Sequence, residues 1–328
     1  MLQKFSTSLD RILTLEIVRV TERTAIAAAR QRGHGDERRA DQAAVDAMRS
    51  ELNQLPVQGT IMIGEGERDE APMLYIGEEV GSGKGPHVDI AVDPLEGTSM
   101  CAKNQTNSLA CIAVAEQGGL LNAPDVYMDK IAIGPGFPTG VIDLDATPTD
   151  NLRALAKAKG VPVSALTACI LDRPRHARLI DEVRGLGASI RLIGDGDIAG
   201  VIQTTDPDET GIDIYLGVGG APEGVLAAAA LRCLGGQMQG RLMINRPDQI
   251  ERAKRMGIDD VTRKYTMEDM AQGDVLFAAT GVTKGNLLSG VRFKNGKIIT
   301  DTVVMRSWTG TVRWIKAEHI DRDGDDFI

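Results

Sequence analysis

A repeated unit limits how this chain can fold more than any other feature: a short apolar run that ends in Gly, Asp or Pro. TIMIGEG at 60–66, VDIAVDP at 88–94 and SLACIAVAEQGG at 108–119 have the length and side chains of buried strands. From about residue 150 such runs alternate with helical stretches. Thr149 and Asp150 announce a helix over 150–159, which Gly160 and Pro162 close. TACIL at 167–171, a helix to about 186, SIRLIG at 189–194 and a short helix near 197–204 follow. IDIYLGVGG at 212–220 then leads into an alanine-rich helix from Pro222 to about Leu234. Strand then helix, repeated, is the signature of α/β layers.

The two ends of the chain fit the same class. Leu13, Ile17, Val20, Ala27 and Ala28 recur at helical spacing over 10–31, and Gly33 stops the run. Ala40, Ala43, Ala44, Ala47 and Met48 line a second helix that ends before Pro56. At the other end, DVLFAAT at 274–280, a hairpin turning at Asn295-Gly296 and TVRWIKAEHI at 311–320 complete a mixed sheet. The 328 residues supply about two domains at roughly 150 each. The cut is expected near residue 150, giving domains 1–150 and 151–328.

A formal charge of -9, from 37 Lys+Arg against 46 Asp+Glu, argues against a nucleic-acid scaffold, which would offer a basic face. It leaves room for a small anion held by converging arginines or by a bound metal. No secretory h-region and no membrane-length apolar stretch is present, so no membrane partner is expected. Cys101, Cys111, Cys169 and Cys233 lie far apart without a C-x-x-C pair. A reduced, cytoplasmic protein is the expectation. The 37 glycines show no G-X-Y period and gather between apolar runs, as tight turns require.

Acidic residues sit where those turns fall. Glu65 ends one strand between two glycines; Asp93 ends the next, with Glu96 and Thr98 just beyond. Ligands of open α/β sheets collect at the carboxyl ends of strands. Carboxylates, a hydroxyl and a backbone carbonyl match Mg²⁺ or Mn²⁺, whereas few His and isolated Cys do not suggest zinc. Turn formation is the better explanation of any one of these clusters, and helix-dipole compensation that of Glu223 in GVGGAPEG taken alone; it is their combination that points to a metal. Asp41 is either a solvated helix residue or, with Thr98, a pair that orients an attacking water.

Arg173, Arg175 and His176 in DRPRH, with GDGD at 194–197 at a helix start, form an anion-binding constellation or an ordinary charged surface. Asp195 and Asp197 would repel phosphate, so sugar hydroxyls or helix capping suit them better. Tyr127 is a candidate sugar or phosphate contact or a structural aromatic. Lys130, His34 and Met62 carry no definite role.

The chain resembles the class II fructose-1,6-bisphosphatases, the bacterial GlpX family, from about residue 14 to 320. GEGERDEAPMLYIGEEVG at 64–81, DIAVDPLEGTS at 89–99, NAPDVYMDK at 122–130, DRPRH at 172–176, GDGD at 194–197 and GVGGAPEG at 217–224 carry the likeness. D-P-L-E-G-T is also similar to an element of the wider lithium-sensitive, metal-dependent sugar phosphatases. The resemblance implies a layered α/β sandwich of the sugar phosphatase type with mixed sheets. It implies Mn²⁺ or Mg²⁺ held by Asp41, Glu65, Asp93, the Leu95 carbonyl, Glu96, Thr98 and Glu223, the last from the second domain. Asp41, Thr98 and Glu65 would be catalytic. Glu96, Gly97, Thr98, Tyr127, Arg173, Arg175, Asp195, Asp197, Gly217, Gly219 and Gly220 would bind substrate.

The implied reaction removes the 1-phosphate of fructose 1,6-bisphosphate in gluconeogenesis, as some relatives also do for sedoheptulose 1,7-bisphosphate. A homodimer or homotetramer is implied too. The sequence departs from the family at GDERRAD, where Glu37, Arg38 and Arg39 replace Lys, Asn and Thr. It also lacks an insertion found in some relatives, leaving SGKGPHV at 82–88. Two alternatives stay open: an inositol or nucleotide phosphatase, or a sugar-phosphate-binding regulator without turnover.

Overall fold

The computed structural model describes Leu9, residues 11–65 and residues 74–321. Positions 66–73 of the first acidic motif lie outside the described residues. Along the chain run β1 (Gln58–Ile63), β2 (Glu79–Val80), β3 (His87–Glu96), β4 (Leu109–Glu116), β5 (Tyr127–Ile133), β6 (Thr167–Leu171) and β7 (Ser189–Ile193). They are followed by β8 (Ile214–Gly220), β9 (Gln237–Leu242), β10 (Lys264–Thr266), β11 (Val275–Gly281), β12 (Arg292–Lys294), β13 (Lys297–Arg306) and β14 (Thr311–Ile320). The strands form two sheets in two compact units, one made of the residues to Leu120 and from Gln272 on, the other of Leu121–Ala271.

The units do not divide at residue 150. Pro148 is the first residue of a helix, Pro148–Lys159, whose N-cap Thr147 accepts from the backbone N–H of Asp150. Leu152 and Leu155 of that helix share a core with Ile131 of β5 and Ile170 of β6. Pro148 thus starts a helix inside the second unit.

In the first unit the order is β12-β13-β11-β4-β3-β1-β2, with β14 on the other side of β13. β1 and β3 are parallel and the other pairs antiparallel. Two helices, α1 (Leu13–Ala29) and α2 (Glu37–Leu52), cover one face. Ile17, Met48 and Leu52 pack there on Ile90, Val92, Ile112, Leu276 and Val304. Ala25, Ala28, Ala40 and Ala44 are fully buried where small side chains let the helices approach. Asn295 and Gly296 both have positive φ, +53° and +70°, which gives the expected hairpin between β12 and β13.

The second unit orders its strands β10-β9-β5-β8-β6-β7. β7, β6 and β8 are parallel, whereas β5 runs antiparallel to β8 and β9. Ala168, Ile170 and Ile214 face the helices Pro148–Lys159 and Ala177–Gly185. Cys169 and Tyr215, one residue out of phase, meet Gly200 of the helix Asp197–Ile202 on the opposite face. Helices on both faces of this mixed sheet make the unit an α/β sandwich.

Candidate functional site

In the second unit the parallel strands deliver side chains to one edge. β6 ends at Leu171 before Arg173 and Arg175, β7 at Ile193 before Asp195, and β8 at Gly220 before Glu223. Tyr127 opens β5 directly opposite Gly220. With Asp197 and Gly219, these residues line a pocket of about 400 Å³ at the carboxyl ends of the strands.

Each side chain is held by a nameable contact. Arg175 donates from Nε and Nη2 to the Val218 carbonyl, at 3.1 and 2.8 Å, and lies 4.7 Å from the centre of the Tyr127 ring. That combination fixes a planar cation above the pocket while Tyr127 stays 54% exposed. Arg173 lies 3.9 Å from Asp195. Asp195 has its carboxyl pushed above the ordinary value, first by burial.

Lys130 is the residue that sequence reasoning passed over. It is 1% exposed; its Nζ donates to Asp197 and, at 2.8 Å, to the Gly220 carbonyl. A buried ammonium needs an anion. Asp197 supplies it, so this carboxylate acts as an ion-pair partner within the pocket and not as a helix cap, the N-cap being Gly196 without a side-chain bond. The signal was present in YMDKIAI: a lysine inside an otherwise apolar strand.

His176 is not an anion ligand. Its Nδ1 contacts the Leu171 carbonyl at 2.8 Å, and its Nε2 accepts from the Val218 N–H at 2.8 Å. Nδ1–H donating and Nε2 accepting is the neutral tautomer, and burial lowers the ring's pKa accordingly. His176 thus clamps the end of β6 to β8.

Glycines make the room. A Cβ on Gly220 would lie 1.8 Å from Glu223 Oε2, and one on Gly219 2.2 Å from Asp197 Oδ2. Gly217, with φ +140°, would press 3.0 Å onto His176 Nε2. Glu223 sits in the first turn of the helix Ala221–Leu234, and its Oε2 is sealed from solvent without a hydrogen-bond partner. Burial, then the charge of Asp197, raises its carboxyl to about 7. A buried acceptor lacking a donor is costly, and a cation is what would satisfy it.

The first unit presents the other candidates. β1 and β3 are parallel with Ile63 level with Ala91, so Glu65 and Asp93 leave the same carboxyl edge at matching positions. Asp93 pairs with Cys111 of β4 and Glu96 with Leu109, a bulge that crowds extra residues into β3. Within it Asp93 Oδ1 accepts from Leu95 N–H at 3.1 Å, and Ser108 donates to the Glu96 carbonyl at 2.9 Å. Gly97 at φ +74° turns the chain into α3 (Thr98–Ala102). Thr98 Oγ1 donates to the Leu95 carbonyl at 2.9 Å rather than to Asp41.

Asp41 lies on α2, its carboxyl pushed up by burial alone. Glu37 is exposed in the first turn of α2, 3.9 Å from Lys103, and Asp36 caps the helix by accepting from Arg39 N–H. The departure at GDERRAD therefore begins a well-formed helix. Burial, followed by the charges of Glu96 and Asp93, pushes the Cys111 thiol well above its ordinary value. Among the described residues, no three His, Cys, Asp or Glu side chains already stand at metal-holding distance. In each unit taken by itself the donors suit a hard divalent cation: carboxylates and a carbonyl in the first, the unsatisfied Glu223 oxygen in the second.

Residues 11–319 match the family described as bacterial fructose-1,6-bisphosphatase, glpX-encoded. The chain is 48% identical to fructose-1,6-bisphosphatase 1 class 2 of Escherichia coli (strain K12), over 94% of this chain and 95% of that protein. It is 46% identical to the D-fructose 1,6-bisphosphatase class 2/sedoheptulose 1,7-bisphosphatase of Synechococcus sp. (strain JA-3-3Ab), over 96% and 97%. Among the described residues, no helix is long and apolar enough to cross a membrane.

Proposed function

This chain belongs to the glpX-encoded family of bacterial fructose-1,6-bisphosphatases, and we propose that it hydrolyses the 1-phosphate of fructose 1,6-bisphosphate to give fructose 6-phosphate and phosphate. The near-full-length identity to the Escherichia coli protein carries this reading. Family membership implies a metal-dependent reaction; Mn²⁺ or Mg²⁺ is the proposed ion. Sedoheptulose 1,7-bisphosphate is proposed as a second substrate, after the name of the Synechococcus relative. The proposed setting is the cytoplasm, and the proposed assembly a homodimer or homotetramer.

Asp41, Glu65, Asp93, the Leu95 carbonyl, Glu96, Thr98 and Glu223 keep the metal-ligand roles that the resemblance gives them. Divalent ions held there supply positive charge against the phosphate and lower the pKa of a water. The chain's own groups do the rest. Thr98 spends its proton on the Leu95 carbonyl, so its oxygen lone pairs are left to accept from a water and aim it. Asp41, on α2, is the carboxylate that would take up a proton as the water is activated. Arg175, braced by Val218 and Tyr127, binds a phosphate of the sugar, and Arg173 assists. Asp195 and Asp197 accept from sugar hydroxyls, and Gly217, Gly219 and Gly220 keep the backbone open to the ligand.

The test is a panel of fructose 1,6-bisphosphate, sedoheptulose 1,7-bisphosphate, inositol 1-phosphate and a nucleoside monophosphate, each with Mn²⁺, Mg²⁺ or chelator. Phosphate release from the ketose bisphosphates, abolished by chelator, is expected. Release from only the inositol or nucleotide substrate would overturn the assignment, as would sugar-phosphate binding without release.

A further inference from the structure

β14 pairs with β13 over all ten of its residues, from Lys297 opposite Ile320 to Arg306 opposite Thr311, without a register shift. Among the described residues no strand pairs with its outer edge. Soluble monomers blunt such an edge with a proline, a bulge, a short strand or unmatched charges, and of these β14 has only charges, Arg313, Lys316 and Glu318, which a suitable register can match. β14 contains neither proline nor bulge. In a chain with only two tryptophans, both are on this hairpin and both are exposed: Trp308 by 53% and Trp314 by 58%, with Ile320 at 63%. A long, regular, unpaired strand bearing exposed aromatic and aliphatic side chains is an interaction surface.

We propose that this edge is where two copies of the chain join, the β14 of a second copy adding antiparallel about a two-fold axis through Ala317, perpendicular to the sheet. The symmetry restricts the register. A perpendicular two-fold keeps each face of the sheet facing the same way, so only residues on the same face can stand opposite one another. With the axis at Ala317, Trp314 meets the partner's Ile320, and Lys316 meets the partner's Glu318. Arg313 meets the partner's Asp321, which continues the strand by donating from its N–H to the Gly296 carbonyl. Each of these three pairings occurs twice, apolar on apolar and cation on anion, while Ile315 meets the partner's His319 and Ala317 meets its own copy on the axis.

Neighbouring registers are worse. An axis at Lys316 sets two lysines against each other, and one at Ile315 leaves Glu318 opposite the partner's Val312. Glu318 and Asp321 already accept from Lys297 and Arg30. A carboxylate has acceptor capacity for a second cation. The proposal rests on the homo-oligomer reading and is independent of the phosphatase reading.

The test uses the full chain with Ala317→Cys under mild oxidation, beside sedimentation of the wild-type protein. Cα atoms facing each other across an antiparallel pair are about 4.5–5.5 Å apart, within disulfide reach. The expected result is an oligomeric wild-type protein and a covalent dimer of A317C. In a second arm, K316E sets like charges opposite each other and weakens dimerisation about 10-fold, and K316E/E318K restores it. An oligomer that yields no A317C cross-link overturns this surface alone. A monomeric wild-type protein overturns the oligomer reading with it, while phosphate release, measured separately, reports on the enzyme.

Discussion

Gly220 in the pocket is dictated by what lies against it. Alanine at Gly220 would bring a methyl to 1.8 Å from Glu223 Oε2, so the carboxylate or the helix start must move. Displacing a catalytic constellation by about 1 Å costs on the order of 100-fold in rate. Gly220→Ala is therefore expected to lower kcat/KM by about that factor while far-UV circular dichroism stays unchanged; full activity would show that the Glu223 position does not matter. Asp93→Asn removes one carboxylate charge from the bulge that also orders Leu95. It is expected to raise the Mn²⁺ concentration for half-maximal turnover at least about 10-fold, read by metal titration of phosphate release. Arg175→Ala leaves Val218 and Tyr127 without their cation. Its expected effect is a KM for bisphosphate raised about 10-fold or more with kcat less changed, and an unchanged KM would remove Arg175 from phosphate binding.

The connection between β6 and β8 runs through the ring of His176, which the fold keeps neutral. Its folded pKa is below the value of about 6.5 that the unfolded chain regains, so on acidification the unfolded state takes the proton first. The stability it protects is fully present above that value and is lost as pH falls below it. Between about pH 7.5 and about pH 5.5 the wild type is expected to lose stability that His176→Asn does not lose, measured by denaturant midpoints. Asp195, with its carboxyl raised, works in the opposite direction and in the lower carboxylate range. At this scale the sequence was most readable where strands end in turns. TACIL, VDIAVDP and IDIYLGVGG announce β6, β3 and β8, because apolar runs and their breakers are local signals. β5 and β9 escaped, since Asp129 and Lys130 interrupt one and QMQGRL is half polar. Their strand character comes from each other and from β8, which no local pattern records. Hence Lys130 was undervalued, and the Thr98–Asp41 pairing could not be judged against the Leu95 carbonyl.

For the molecule as a whole, one unit is inserted into the other. Leu121 N–H donates to the Met270 carbonyl at 3.0 Å, closing the second unit, and Gln272 N–H donates to the Gly119 carbonyl at 2.9 Å, closing the first. Each unit has its own sheet and buried core. Residues 121–271 expressed alone are expected to unfold in one cooperative thermal transition; a non-cooperative melt would mean that this unit depends on the rest of the chain. A boundary of this kind does not stand out in composition, because Gly118, Gly119 and Gly273 beside the two crossings look like the other turns that end strands in this chain. The family likeness, by contrast, was legible throughout, since its motifs fall at the strand ends that build both candidate sites. The most direct measurement of the central claim identifies the product as well as the rate. Fructose 1,6-bisphosphate with Mn²⁺ should yield phosphate and fructose 6-phosphate in equal amounts, read by an isomerase and dehydrogenase couple and stopped by chelator. Fructose 1-phosphate as the product, or phosphate release that persists in chelator, would contradict it.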